Sequence, residues 1–229
     1  AKVIRQLGNF VSTPIVYLSS EDDFNTQHEA MSLAGDDFLV KPIEPQQLIS
    51  AVTSHILRAR MLRSFMVRDN LTGLYNHTNI KEQLDREISR AGRLGSRLTL
   101  AMVDIDFLKN VNDTYGHSMG DRVIKSLARL LKQRLRSTDI AGRYGGKEFA
   151  IILTDTDATS AVKVIDDIRK VFMRLLHISD DKEFSVSFSC GVADLNHYPD
   201  AVILGNAADK ALSLAKENGR NNVAQCPVS

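Results

Sequence analysis

The apolar run Leu98–Ile105 constrains the fold of this chain more than any other segment. Its length and composition predict a buried strand. The strand delivers Asp104 at its end and Asp106 just beyond it, and alternation predicts that both carboxylates point to the same face. Ligands of open α/β sheets bind beyond the carboxyl ends of strands. Two hard oxygen donors at this place favour Mg²⁺ carrying a nucleotide phosphate, although Asp106 alone is equally typical of a helix cap.

Hydrophobic periodicity around this strand predicts an α/β domain over residues 69–229. Helices are predicted at residues 76–93, 122–135, 158–176 and 201–217. Further strands are predicted at 140–144, 148–153 and 184–192, with a loop at 111–116 and a short edge strand at 223–224. The Gly145-Gly146 pair predicts a hairpin. The order α-β-α-β-β-α-β-α indicates a central sheet with helices packed on it.

Residues 1–43 are predicted to form only part of a domain. Short strands at 14–19 and 38–40 flank a helix at 22–34, which implies a parallel strand pair with a right-handed crossover. This piece is too small to bury a core by itself. Residues 44–68 are predicted to be a linker helix, whose apolar positions recur every three or four residues: Leu48, Val52, Ile56, Ala59, Leu62 and Met66. That face fits either a coiled-coil seam or a helix that packs on its own half-domain and runs on as a connector.

Composition narrows the classes of function. A net charge of +1 gives no basic surface for a nucleic-acid polymer, so a small ligand or a protein partner is the better expectation. No apolar run approaches the roughly 20 residues of a membrane span, which predicts no membrane segment in this chain. Two cysteines cannot form a disulfide framework. Together these features predict a cytoplasmic protein.

Three further segments carry residues suited to nucleotide chemistry. Asn112 and Asp121 offer the donors and acceptors that read a guanine edge, although their composition alone is also typical of a turn before a helix. The glycines before Lys147 and Glu148 let a backbone approach a ligand closely, or form an ordinary hairpin. The helix end around Lys216 fits a triphosphate, or only a favourable helix C-terminus.

These segments resemble, in order and spacing, the GGDEF domain of diguanylate cyclases. The matching motifs are Asp69-x-Leu-Thr-Gly-Leu-Tyr-Asn76, Asp104-Ile-Asp106-x-x-Lys109-x-x-Asn112-Asp113, Gly116-His117-x-x-Gly120-Asp121, Arg143-Tyr-Gly-Gly-Lys147-Glu148-Phe149 and Lys216-x-x-Gly219-Arg220-Asn221. The resemblance implies a nucleotidyl-cyclase-like central sheet flanked by helices. The first block resembles the C-terminal half of a doubly wound response-regulator receiver domain, with Ser19, Phe38 and Lys41 at its switch positions. The phosphoacceptor Asp of that family would lie upstream of Ala1.

The family condenses two GTP molecules into cyclic di-GMP between two facing chains, so the resemblance implies a homodimer. For an intact receiver it also implies an upstream histidine kinase. By the same resemblance, Mg²⁺ or Mn²⁺ is held by Asp104, the Ile105 carbonyl and Glu148, with Asp106 a weaker candidate. The implied substrate contacts are guanine recognition by Asn112 and Asp121, sugar and base contacts by His117, and phosphate contacts by Phe107, Leu108, Lys109, Lys216 and Arg220. Arg136 and Asp139 fall at the family's inhibitory product site, and a surface loop ion pair is the alternative for them.

Lys147 departs from the family pattern, which has Asp or Glu at this third position of the signature. That acid is a metal ligand and a candidate base, together with Asp104 and Glu148 in the catalytic set. A protonated lysine has no acceptor and cannot bind Mg²⁺. Two hypotheses follow: a diguanylate cyclase whose turnover Lys147 weakens, or a catalytically silent domain that binds GTP or cyclic di-GMP and signals by protein contacts. An unrelated nucleotidyl-cyclase-like enzyme fits the guanine-reading residues less well.

Overall fold

The computed structural model describes residues 3–4, 13–20, 36–179 and 182–227 of the chain. The chain divides into two compact units, Ala1–Met66 and Val67–Ser229. The helix predicted at residues 22–34 lies outside the described residues. Among the helices that are described, none combines the length and the apolar character needed to cross a bilayer.

The first unit contains a parallel strand pair and a long helix. Strand β1 (Val16–Ser19) pairs in parallel with β2 (Asp37–Val40), as the sequence predicts, and helix α1 covers Pro45–Val67. His55 Nε2 lies 2.9 Å from Asp37 Oδ2, which ties α1 to β2. On the predicted apolar face of α1, Leu48 and Ala59 are half-buried, whereas Val52 and Ile56 are 38% and 39% exposed.

The second unit is built on a five-stranded sheet with the order β4-β5-β3-β8-β9. Its strands are β3 (Leu98–Ile105), β4 (Ile140–Arg143), β5 (Glu148–Thr154), β8 (Phe188–Asp194) and β9 (Val223–Gln225). Strand β3 is antiparallel to both neighbours, and only the β8–β9 pair is parallel. A separate hairpin joins β6 (His177–Ser179) to β7 (Lys182–Phe184).

Helices cover both faces of this sheet. They are α2 (His77–Leu94), α3 (Leu108–Tyr115), α4 (His117–Arg134), α5 (Ala158–Met173) and α6 (Ala201–Glu217). Alternate residues of β3 enter two different cores: Ala101, Val103 and Ile105 pack with α3, α4 and α5, and Leu98, Leu100 and Met102 pack with α2 and α6. Every residue of β3 is therefore buried, as its apolar composition predicts.

Three boundary predictions are wrong. Residues 111–116 are not a loop, because Leu108 and Val111 are buried at helical spacing and form α3, and α4 then begins at His117. The predicted strand at 184–192 is interrupted, with β7 ending at Phe184 and β8 beginning at Phe188. Helix α5 ends at Met173 instead of Leu176, since β6 follows directly.

Candidate nucleotide and metal site

Asp104 is the last but one residue of the central strand β3 and is the most enclosed carboxylate of the site, with its residue 1% exposed. In the sheet register it stands opposite Glu148 on β5 and Ser189 on β8. A Cβ on Gly145 would lie 2.7 Å from the Glu148 Oε2, so the Glu148 side chain folds over a glycine that has room for it. Strand pairing therefore places Glu148 opposite Asp104, two of the residues that the resemblance assigns to the metal.

Two lysines lie against the Asp104 carboxylate. Lys147 Nζ is 3.0 Å from Oδ1, and Lys216 Nζ is 3.0 Å from Oδ2. Oδ2 accepts no hydrogen bond from the described residues, so Lys216 compensates its charge at ion-pair distance without hydrogen-bond alignment. A charge this buried needs such compensation. Here it comes from the β4–β5 turn and from the last turn of α6.

Asp106 is engaged differently, although it is only two residues further on. Its carboxylate accepts hydrogen bonds from the Ser187 and Ser189 hydroxyls, both at 2.7 Å, and from the Asn221 backbone N–H at 3.1 Å. It thereby joins β8 to the loop after α6. Three donors therefore occupy most of the acceptor sites of the Asp106 carboxylate, whereas the Asp104 carboxylate is held by two ammonium groups.

A cavity of about 350 Å³ has Gly146 and Lys147 in its lining, and Lys147 connects it to Asp104. All three residues predicted to contact the base and sugar line it, namely Asn112, His117 and Asp121. The other lining residues are Leu108, Lys109, Ile124 and Arg143. Gly120 shapes it, because a Cβ there would lie 1.8 Å from the Asn112 Oδ1. Only a glycine on α4 lets the Asn112 side chain occupy this position.

The predicted phosphate contacts lie at two loops with unusual backbone. Phe107 precedes α3 with a φ of 52° and makes no side-chain cap, which leaves the first N–H groups of the helix for a ligand. Arg220 and Asn221 also have positive φ, at 62° and 48°. The Arg220 guanidinium lies 4.9 Å from the centre of the Phe107 ring, so the two loops meet. Strained non-glycine backbone of this kind clusters at ligand sites.

Residues 66–222 match the family model for the diguanylate cyclase GGDEF domain. The chain belongs to the GGDEF family. It is 33% identical to the response regulator PleD of Caulobacter vibrioides over 231 residues, which cover 92% of this chain and 49% of PleD. It is 36% identical to diguanylate cyclase A of Treponema denticola over 182 residues, covering 79% of this chain and 46% of that protein. The chain therefore spans about half the length of these curated relatives.

Solved GGDEF structures have the same fold. The GGDEF domain of DgcB from Caulobacter crescentus, in complex with c-di-GMP, superposes with a TM-score of 0.67 at 31% identity, covering 70% of this chain and 93% of that one. An active GGEEF domain of a diguanylate cyclase from Vibrio cholerae gives a TM-score of 0.63 at 31% identity, covering 67% and 98%. That signature has a glutamate where this GGDEF domain has Lys147.

Diguanylate cyclases of the GGDEF family generally use a divalent metal ion. Among the described residues no three or more His, Cys, Asp or Glu side chains are grouped to hold one. Mg²⁺ commonly uses one or two carboxylates and completes its shell with water and substrate phosphates. Asp104 and Glu148, which stand opposite each other in the sheet register, form such a pair once one of the two lysines at Asp104 turns away. The donors of this GGDEF domain thus fit a metal ion that arrives with a nucleotide.

Arg143 and Asp69 are parts of the site to which the sequence assigned no role. Arg143 donates to the Gly146 carbonyl at 2.7 Å and pairs with Asp69 Oδ2 at 3.2 Å, which holds the glycine turn against the first motif. Burial raises the pKa of Asp69, but hydrogen bonds from Thr72 and the charge of Arg143 outweigh it and hold that pKa below its ordinary value. Both residues belong to the matching motifs, but they lie 74 residues apart in the sequence, so their contact was not predictable from it.

Arg136 and Asp139 line a separate cavity of about 190 Å³. The Asp139 Oδ2 accepts a hydrogen bond from the Arg136 backbone N–H at 3.0 Å, and the two side chains make no ion pair in this described loop. The buried Oδ1 of Asp139 accepts no hydrogen bond from the residues described. No ion pair therefore joins these two side chains among the described residues, and the inhibitory product site stays a prediction.

Proposed function

We propose that this chain is the output part of a response regulator and condenses two GTP molecules into cyclic di-GMP, with turnover weakened by Lys147. The observation that carries the proposal is the cavity lined by Asn112, His117 and Asp121 beside the Asp104–Glu148 pair. Asn112 and Asp121 bind the guanine edge, since an amide and a carboxylate match its donors and acceptor. His117 lies in the same cavity and contacts the sugar and base.

The triphosphate lies over the start of α3. The N–H groups that follow Phe107, and the side chains of Lys109, Lys216 and Arg220, bind its oxygens. Asp104, Glu148 and the Ile105 carbonyl hold Mg²⁺ or Mn²⁺, which supplies Lewis-acid stabilisation of the phosphate charge when bound. The location in the cytoplasm stays a prediction.

The reaction needs two chains, because each offers one such cavity. The 3′-oxygen of each GTP forms a bond to the α-phosphorus of the other, and the bond from that phosphorus to pyrophosphate breaks. Two pyrophosphates leave, and the hydroxyl protons pass to a base, for which Glu148 is the candidate. A homodimer is therefore part of the proposal.

Ser19, Phe38 and Lys41 are proposed as the receiver switch that a histidine kinase controls. The Lys41 backbone N–H donates a hydrogen bond to the Ser19 carbonyl at 2.7 Å.

A second candidate function is favoured by one contact, the ion pair between Lys147 and Asp104. If that pair persists with nucleotide bound, the domain binds GTP or cyclic di-GMP without turnover and signals through protein contacts.

The test is conversion of GTP to cyclic di-GMP and pyrophosphate by the purified chain. It is measured by anion-exchange chromatography with excess Mg²⁺ at protein concentrations that favour a dimer. We expect the native chain to form cyclic di-GMP slowly but measurably. Asp121→Ala should form none. No product from the native chain, with GTP binding intact, supports the silent domain. Neither product nor GTP binding would contradict both functions.

A further inference from the structure

The residue at the third signature position changes the charge of the phosphate region. Two ammonium groups, those of Lys147 and Lys216, lie 3.0 Å from the Asp104 carboxylate, and Lys147 shares the adjoining cavity with Lys109. A carboxylate at position 147 would make the charge of this region more negative by two units. A triphosphate would then depend more strongly on metal ions for its charge compensation. In this chain the protein itself supplies part of it.

The position of Lys147 suits it to reach a nucleotide. It lines the cavity of Asn112 and Asp121 and also lies 3.0 Å from Asp104, so it stands between base site and carboxylate. Its side chain is 44% exposed, against 2% for Asp104. The ammonium can therefore turn from Asp104 to a phosphate without leaving the site. Lys216 remains at Asp104 Oδ2 to compensate the buried charge.

We propose that Lys147 is a phosphate-binding residue that takes over the charge role of a metal ion, so that this chain binds GTP with little dependence on divalent metal. This inference rests on the proposed guanine-nucleotide function. The same ammonium opposes a metal ion at Asp104, because like charges repel across a site with a low effective dielectric. Metal-independent binding and weakened metal-dependent chemistry are then two results of one substitution in the signature.

The test measures GTP affinity calorimetrically for the whole chain, once in EDTA and once in excess Mg²⁺. For the native protein we expect the two dissociation constants to agree within about threefold. For Lys147→Glu we expect GTP binding in EDTA to weaken by more than about tenfold and to recover in Mg²⁺. Lys147→Met keeps the long side chain without its charge and should lie between them. Lys163→Glu makes the same charge change at an exposed position on α5 and should behave as the native protein.

The outcomes separate the inference from the function beneath it. Native protein that binds GTP only in Mg²⁺ overturns the inference and leaves the proposed function standing. Absence of GTP binding in both buffers overturns both. Equal metal dependence in native protein and Lys147→Glu also overturns the inference, because it removes the role of Lys147.

Discussion

Asp104 is a buried carboxylate whose two neighbours are ammonium groups 3.0 Å away. Asp104→Asn keeps the size of the side chain and removes the charge that a metal ion needs. In the Lys147→Glu background, where GTP binding is expected to depend on Mg²⁺, Asp104→Asn should remove that dependence. In the native background, binding in EDTA should stay within about threefold of the native value because Lys147 and Lys216 remain. GTP titrations at increasing Mg²⁺ measure this. An unchanged Mg²⁺ dependence would mean that the metal is held elsewhere.

Replacing Lys147 with an acidic residue is predicted to raise the turnover of the enzyme. At about 4 Å and an effective dielectric near 20, a unit-charge pair is worth roughly 4 kcal/mol, and exposure of the lysine reduces that figure considerably. Even a quarter of that energy is enough to raise metal affinity noticeably when a carboxylate replaces the ammonium group. We expect Lys147→Glu and Lys147→Asp to form cyclic di-GMP about tenfold faster than the native chain at saturating Mg²⁺. Rates at or below the native one in both variants, with unchanged circular dichroism, would show that this position does not limit the enzyme.

Individual side chains were predictable where the strand pattern determines them. The apolar run of β3 predicts a carboxylate, Asp104, near its end. The motif spacing predicts that Asn112 and Asp121 lie close together, and both line the same cavity. The partners of Asp106 were not predictable, because Ser187 and Ser189 lie 81 and 83 residues away and reach it only through the register of β8. The engagement of Lys147 with Asp104 likewise depends on β5 standing beside β3.

At the scale of elements, Gly191 determines how closely α6 approaches the sheet. A Cβ on Gly191 would lie 2.1 Å from both the Ala208 carbonyl oxygen and the Leu212 nitrogen. These are backbone atoms, so Gly191→Ala must move α6 outward, at a cost of about 1–3 kcal/mol. Because Lys216 is on α6, we also expect weaker GTP binding. Thermal unfolding and calorimetry measure the two effects.

The matched control for this change is a second glycine, Gly205, which lies on α6 itself. A Cβ on Gly205 meets nothing within 4 Å, so Gly205→Ala should keep or raise the melting temperature. An unchanged melting temperature in Gly191→Ala would show that α6 does not pack against the sheet as described.

The loop before β4 carries the proposed product site. Arginine binds phosphate or a guanine edge in a forked geometry, and an aspartate can accept hydrogen bonds from guanine N–H groups. We expect the double variant Arg136→Ala, Asp139→Ala to bind cyclic di-GMP at least about tenfold more weakly by calorimetry. Arg129→Ala, an exposed arginine on α4, is the control. Native affinity in the double variant would rule out this site.

Elements with strong periodicity were predictable, and those defined by tertiary contacts were not. The sequence predicts β3, β5 and α6 within a few residues. Helix α3 was missed because only Leu108 and Val111 are buried in a segment otherwise dense in polar residues. The β6–β7 hairpin was missed because its strands have three residues each, which is too short for an alternating pattern to show.

The chain consists of two units, and the cavity lined by Asn112, His117 and Asp121 lies in the second. The family match covers residues 66–222, whereas the match to PleD covers 92% of the chain and so extends into the first unit. The receiver assignment stays a prediction, since β1 and β2 alone are a parallel pair found in many α/β proteins. We propose that the first unit brings two chains together for the proposed reaction.

Helix α1 is the surface on which we expect that association to depend. Ile49, Val52 and Ile56 lie at helical spacing with exposures of 65%, 38% and 39%, an apolar stripe suited to a second helix. Cyclic di-GMP synthesis requires two loaded domains, so separating the chains should abolish it. We expect Ile49→Glu, Ile56→Glu to shift the native dimer toward monomer by at least about tenfold in dissociation constant, measured by analytical ultracentrifugation. Gln47→Glu, Ser54→Glu adds equal charge at exposed polar positions of the same helix and should leave the dimer intact. A native chain that stays monomeric with and without GTP, or a dimer indifferent to the isoleucine changes, would place the contact outside α1.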